Sequence, residues 1–324
     1  MPGYTGSFRN ERTLTKMNEP LILHHYDGSP YAEKIRLMFG LTGARWSSLL
    51  CPVQPPRPRL DPLTGGYRRI PVAQVGADIF CDTALIAKEL AVMLDCPALD
   101  PDAVDAEAAA LMDYAQDKAF FAAIGAVPTP RLLVTMLGMF GPVGTVKFIK
   151  DRINLVKGST VRAPQGEKAR AVLNTLIDDL EARLETHEWV GGEQASVADF
   201  ATFHPLWLHV SCSRRALDAG PKVKAWYQRV SEIGHGHREE IAQEQAFALA
   251  RDSKPRPLPN SVADTPVPIG TEVQVAPADY GKVPVSGTLA ALTEDRIVLT
   301  RDTWQFGTLH VHFPRNGYSL TAQS

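Results

Sequence analysis

Residues 21–41 read L-I-L-H-H-Y-D-G-S-P-Y-A-E-K-I-R-L-M-F-G-L, and the pattern changes period in the middle. Leu21, Ile22 and Leu23 run into His24, His25 and Tyr26, which suits a short buried strand. Asp27-Gly28 breaks it, and Ser29-Pro30 then supplies a preferred N-cap followed by the residue favoured in the first helical turn. Beyond it Ile35, Leu37, Met38 and Leu41 recur at helical spacing, with Glu33, Lys34 and Arg36 expected to face water. A serine hydroxyl is thus expected at the positive end of a helix, where an anion such as a thiolate is stabilised, although the same hydroxyl serves equally as a helix cap.

Outward from this unit, Trp46–Cys51 reads as a second strand, and the run Pro52–Pro58 can be neither helix nor central strand. The turn cluster Asp61–Gly66 leads into Tyr67–Val75, in which Pro71 precedes an apolar strand. A hairpin at Gly76-Ala77-Asp78 returns through Ile79-Phe80-Cys81, and Asp82-Thr83 opens a helix over 84–94. Next come a helix over 107–126 and the uncharged stretch Leu132–Val146. That stretch is short for a membrane span and interrupted by Gly138, Gly141, Pro142 and Gly144, so a buried helix end or the wall of a pocket lined by Met136 and Met139 is expected. The amphipathic helix 167–188 buries Val172, Leu173, Leu176, Ile177, Leu180 and Leu184 and turns Asp178, Asp179, Glu181 and Arg183 outward. Ser196-x-x-Asp199 before an apolar run is a capping box, a folding element with no chemistry of its own.

Three of these elements, S-P-Y at 29–31, I-P-V at 70–72 and D-T at 82–83, stand in the order and spacing of the glutathione S-transferases, which residues 21–250 resemble. The resemblance implies a thioredoxin-like α/β domain over 21–95 and an all-helical domain over 100–250. It implies that Ser29 donates to the glutathione sulfur, with Tyr26 as the reserve hydroxyl. Pro71 is implied to be a cis-proline, Val72 the backbone contact for the cysteinyl part, and Asp82 and Thr83 the holders of the γ-glutamyl end. The family usually has glutamate or glutamine followed by serine at that last pair, so this chain shortens the acid and branches the hydroxyl. The function implied is detoxifying transfer of glutathione, as co-substrate, to a small hydrophobic electrophile, by a cytoplasmic homodimer. A serine in place of cysteine argues against disulfide exchange.

Residues 251–265 form a proline-rich linker, after which the period becomes that of strands: Thr271–Val275, Val285–Leu292, Arg296–Thr300 and Thr308–Phe313. A small antiparallel domain or partly closed barrel is expected over 266–324, absent from ordinary family members. It keeps a second reading open, in which a non-catalytic binding protein reuses the fold and works through the appendage. His310 and His312 share a face of one strand and are expected half-exposed, and His235-Gly236-His237 lacks a third ligand, so no metal centre is expected. The whole chain has 324 residues, a formal charge of -2 and four cysteines without a C-x-x-C pair. These features give no nucleic-acid footprint and no disulfide framework. Residues 1–20 are polar, with no secretory signal, and are expected to be a flexible tail.

Overall fold

Strand β1 (Leu21–His25) is an interior, fully buried strand in a computed structural model that describes residues 19–262 and 265–323. The expected N-terminal tail therefore lies outside the described residues, apart from Glu19 and Pro20. The apolar start of β1 is fully buried, and Ser29 ends the following turn by accepting the Ala32 N–H at 3.2 Å, which starts α1 (Pro30–Thr42). β2 (Arg45–Leu50) lies parallel to β1, while β3 (Val72–Val75) and β4 (Asp78–Cys81) form the antiparallel hairpin on the other side. A one-turn helix, α2 (Asp61–Thr64), stands where the turn cluster was expected. α3 (Thr83–Met93) is capped by Asp82, whose side chain accepts the Ala84 N–H at 3.1 Å.

The polar residues of α1 correct the expectation that they face water. Glu33, Lys34 and Arg36 are all buried. α8 (Val197–Ser213) packs along α1, and the chain after α9 (Pro221–Glu232) closes over Gly40, where a Cβ would collide with the Gly234 carbonyl. With both flanks covered, Glu33 and Arg36 have found charged or imidazole partners: Arg36 donates to Glu33 at 2.6 Å and lies 3.0 Å from His25 Nδ1, and His235 lies 3.1 Å from Glu33. The close passage at Gly40 also delivers β5 (His237–Glu240), an unexpected strand that pairs parallel to β2.

The helical domain runs through α4 (Ala106–Tyr114), a π-turn at Ala115–Ala119, α5 (Phe120–Gly125), α6 (Thr129–Val156) and α7 (Gly166–Thr186). Two further expectations change. Arg183 turns inward, buried, to pair with Asp105 and Glu107, each at 2.6 Å. The stretch 132–146 belongs to one long helix, bent at Gly141 (φ 66°) with Pro142 opening its second half, and it is not buried: Val134 is 65% exposed and Val143 68%. Proline is tolerated there because the bend has already freed its position from the i→i−4 bond. α6 is long and apolar enough by length and composition to cross a membrane.

After α10 (Gln243–Asp252) and the linker, the appendage is the expected antiparallel sheet: β6 (Glu272–Pro277), β7 (Val285–Leu292), β8 (Arg296–Thr303), β9 (Gly307–Pro314) and β10 (Tyr318–Ala322). It does not close on itself as a barrel. β9 pairs parallel with β4, with Asp78 opposite His310 and Phe80 opposite His312, so the strands form one ten-stranded sheet in the order β10-β6-β7-β8-β9-β4-β3-β1-β2-β5. The appendage core, with Val273, Leu299 and Phe313, is continuous with Ile22, Val72 and Ile79 on one face of that sheet. The other face packs against the helical domain.

The capping box folds as expected. Asp199 accepts from the N–H groups of Val190 (2.8 Å), Gly191 (3.3 Å) and Ser196 (2.9 Å) and from the indole of Trp226 (2.8 Å). Asp199→Ala leaves four donors short of an acceptor in the core, a loss of about 3 kcal/mol or more. Urea denaturation is expected to show a markedly lower midpoint for that variant; a midpoint equal to wild type refutes the assignment.

Candidate functional site

A cleft opens where α1, the turn before β3, the β4–α3 turn, the α4–α5 region and the appendage meet. It comprises two adjoining cavities of about 410 and 420 Å³, which share Arg69, Asp82, Gln116 and Asp279. The turn before β3 contributes Ile70 and Pro71, joined by a cis peptide bond as the resemblance implied. The cap of α3 contributes Asp82, held at φ 77°, and Thr83.

The electrostatic centre of the cleft is Arg69. It donates to the Asp279 carboxylate and, at 2.8 Å, to the Tyr280 carbonyl, its guanidinium lies 4.1 Å from the centre of the Tyr280 ring, and it stands 3.6 Å from Asp82. Asp82 accepts at 3.0 Å from the Tyr318 hydroxyl, which accepts in turn from Tyr67 at 2.6 Å. Burial pushes both phenols well above their ordinary pKa, so they stay protonated donors. Tyr280 donates at 3.4 Å to Tyr31, whose pKa burial also drives well up. Asp117, on the rim, is raised by burial and then by Asp113 and Asp279.

Lys34 is the second cation. It is 1% exposed and donates to Gln116 Oε1 at 2.8 Å and Thr83 Oγ1 at 3.4 Å, with no ion pair among the described residues. Burial lowers its pKa to about 8, with Asp82 acting weakly in the opposite direction. An ammonium buried among neutral acceptors, next to the N-terminus of α3, can pair with an anion.

The six residues named from sequence separate here. Pro71, Asp82 and Thr83 line the cleft together. Val72 is buried at the start of β3 behind Pro71, in register with His24 and Cys81. Ser29 is 2% exposed, and neither it nor Tyr26 lines the cleft; the Ser29 oxygen caps α1, and its own O–H proton has no assigned acceptor among the described residues. Met136 and Met139 do not line it either, and Met139 is exposed, because α6 turns its apolar side outward. The groups that sequence reading missed are Lys34, Arg69, Asp279, Tyr280 and Tyr318. For the last three no local signal exists, since they lie about 200 residues beyond the motif they touch.

Comparison with known proteins shows the family. Residues 23–92 match the family model described as glutathione S-transferase, N-terminal domain, and residues 142–233 match glutathione S-transferase, C-terminal domain. A GST-like protein from Pseudomonas syringae is 31% identical, over 94% of this chain and 99% of that one, with a TM-score of 0.74. The uncovered 6% is too little to hold the whole appendage, so that relative shares most of it. A delta-class glutathione transferase from Nilaparvata lugens (16% identity, 67% of this chain and 91% of that one, TM-score 0.46) and a rice transferase solved with glutathione (16%, 70% and 92%, TM-score 0.46) are more distant. A search of curated proteins finds no match. With both domain models matched in order and a relative alike over nearly the full length, the chain belongs to the glutathione S-transferase family.

Proposed function

We propose that the cleft binds glutathione and presents its thiolate to a small, partly apolar electrophile. The observation that carries this is Lys34, a buried ammonium that makes no ion pair among the described residues, beside Thr83 and the first turn of α3. The γ-glutamyl carboxylate completes that site, and Asp82 takes the neighbouring α-ammonium. The backbone around Pro71 and Val72 takes the cysteinyl portion, as the resemblance implies. Ile70, Phe121 and Val161 give the first cavity an apolar wall for the second substrate. In the reaction the sulfur lone pair forms the new bond to the electrophilic carbon, and the displaced group leaves with the electron pair of the bond that breaks. A hydrogen-bond donor at the sulfur lowers the thiol pKa. Ser29 is the donor assigned by resemblance, with Tyr26 in reserve. Tyr31, a protonated phenol on the cleft wall, is a further donor.

The observation that favours binding without catalysis is that Ser29 and Tyr26 do not line the cleft. The partner implied by the family is a second copy of the chain, and the exposed apolar side of α6 is a face such a partner would cover. Four free cysteines fit the reducing cytoplasm. Sedimentation velocity is expected to give twice the monomer mass; a monomer at micromolar concentration removes the homodimer from this reading.

Calorimetric titration of glutathione is expected to give saturable binding that Asp82→Ala or Lys34→Met weakens by at least tenfold. Ser29→Ala and Tyr31→Phe are expected to spare binding; the variant that raises the pKa of the bound thiol, read from thiolate absorbance, identifies the sulfur donor. No heat with wild type refutes the glutathione reading, and binding with no thiol shift in either variant supports the non-catalytic one.

The sign of the pH dependence follows from Lys34. Its ammonium is present below about 8 and lost above it, so affinity for the thiol-free analogue S-methylglutathione should fall as pH rises through about 8. Lys34→Arg keeps the charge and should flatten that fall; identical pH profiles for the two proteins exclude Lys34 as the anion anchor.

A further inference from the structure

Asp78, His310 and His312 converge at the seam where the appendage joins the thioredoxin-like sheet. Asp78 is the first residue of β4, His310 is its register partner on β9, and His312 lies two residues further on the same face. All three are buried, His310 at 8% and His312 at 5% exposure. The two oxygens of Asp78 have different surroundings. Oδ2 accepts the backbone N–H of Arg256 at 2.8 Å and lies 3.6 Å from its guanidinium. Oδ1 faces the imidazoles, 2.7 Å from His312 Nε2 and 3.8 Å from His310 Nδ1. The three ligand atoms all lie within 4.8 Å of one another.

A plain Asp–His hydrogen bond accounts for only part of this. It satisfies His312 Nε2, but His310 Nδ1 and His312 Nδ1 both remain buried with no hydrogen-bond partner among the described residues, and His310 Nδ1 is aimed at a carboxylate oxygen just beyond hydrogen-bonding reach. Such an orphan is costly unless something occupies the gap. A tetrahedral zinc ion bound at 2.0–2.1 Å holds its ligand atoms about 3.3 Å apart, a spacing bracketed by the two distances seen here. The adverse charge is Arg256, and it is offset: Glu89 pairs with Arg256 at 3.0 Å and with Arg296 at 2.5 Å. Arg256 also holds Oδ2, so Oδ1 is left to act as a single-oxygen ligand.

We propose that Asp78, His310 and His312 form a divalent-metal site of the zinc type that clasps β9 to β4. Two imidazoles and one carboxylate are a donor set that Zn²⁺ accepts. The site lies at the opposite end of β4 from Asp82, about 10–13 Å away along the strand, so it is separate from the glutathione cleft. Its role is structural. β4–β9 is the one strand pairing between the appendage and the rest of the sheet among the described residues, and a metal there ties together residues more than 230 positions apart.

The test uses the full-length protein after chelator treatment. Titrated Co²⁺ is expected to saturate at one equivalent, with the intense visible bands of a tetrahedral ion, and Zn²⁺ is expected to displace it and raise Tm. His310→Gln should lose the spectrum and the zinc-dependent rise while keeping a wild-type far-ultraviolet dichroism spectrum. Should that variant fail to fold, His310→Cys provides the second arm: a thiolate ligand at that position adds a near-ultraviolet sulfur-to-cobalt charge-transfer band that a merely structural histidine cannot produce. A folded wild type with no cobalt spectrum and the same Tm with and without zinc overturns the proposal. Metal binding that survives in folded His310→Gln does so too.

Discussion

The parallel pairing of β9 with β4 is the contact on which the shape of this molecule depends. In a thioredoxin-like sheet β4 ends the strand order, with its outer edge unpaired, and an unpaired edge is a liability. Here residues 78–80 bond to residues 310–312, which continues the sheet through five further strands. The pairing has two ends with two consequences. At the Asp78 end it gathers two histidines and a carboxylate. At the far end the appendage reaches the start of α3, and the β9–β10 turn delivers Tyr318 to Asp82. The appendage is therefore part of the cleft wall, and the likeness over nearly the whole Pseudomonas syringae chain fits a feature that travels with the two family domains.

The cleft is organised by charges removed from water. Arg69 is shared between Asp82 and Asp279, one from the motif and one from the appendage, so neither carboxylate is left alone in a poorly solvated place. Lys34 receives only neutral acceptors. Keeping an ammonium among neutral acceptors in a buried place is unfavourable, and its lowered pKa reflects that cost. Asp82 is shorter than the family's usual residue at that turn and is held by Tyr318. The appendage thus fixes a carboxylate that a longer side chain would place by its own reach.

What could be read from the sequence was local. Ser29-Pro30, Asp82 and Ser196-x-x-Asp199 announce helix starts within four residues, and each caps its helix. The change of period after residue 265 revealed the appendage strands, because alternation is also a local property. The failures came from neighbours brought in from elsewhere. Glu33, Lys34 and Arg36 have the pattern of a wet helix face until α8 and the 233–240 segment cover both flanks. Arg183 reads as surface until Asp105 and Glu107 arrive from α4. His310 and His312 were legible as a pair, but the third member, Asp78, is joined to them only by strand register across more than 230 residues.

The exposed side of α6 obeys the same logic with the opposite outcome. Its glycines and Pro142 read as interruptions, yet the helix runs on through a bend at Gly141, and the expectation of a buried apolar stretch failed because no other element among the described residues packs over most of it. A segment as apolar as Leu132–Val146 does not stay in water without cost, at roughly 25 cal/mol per Å² of apolar surface. The covered flanks of α1 and the uncovered side of α6 are thus two cases of one rule. Sequence periodicity tells which residues prefer burial, and it is the rest of the chain, or a second copy of it, that determines which of them are buried.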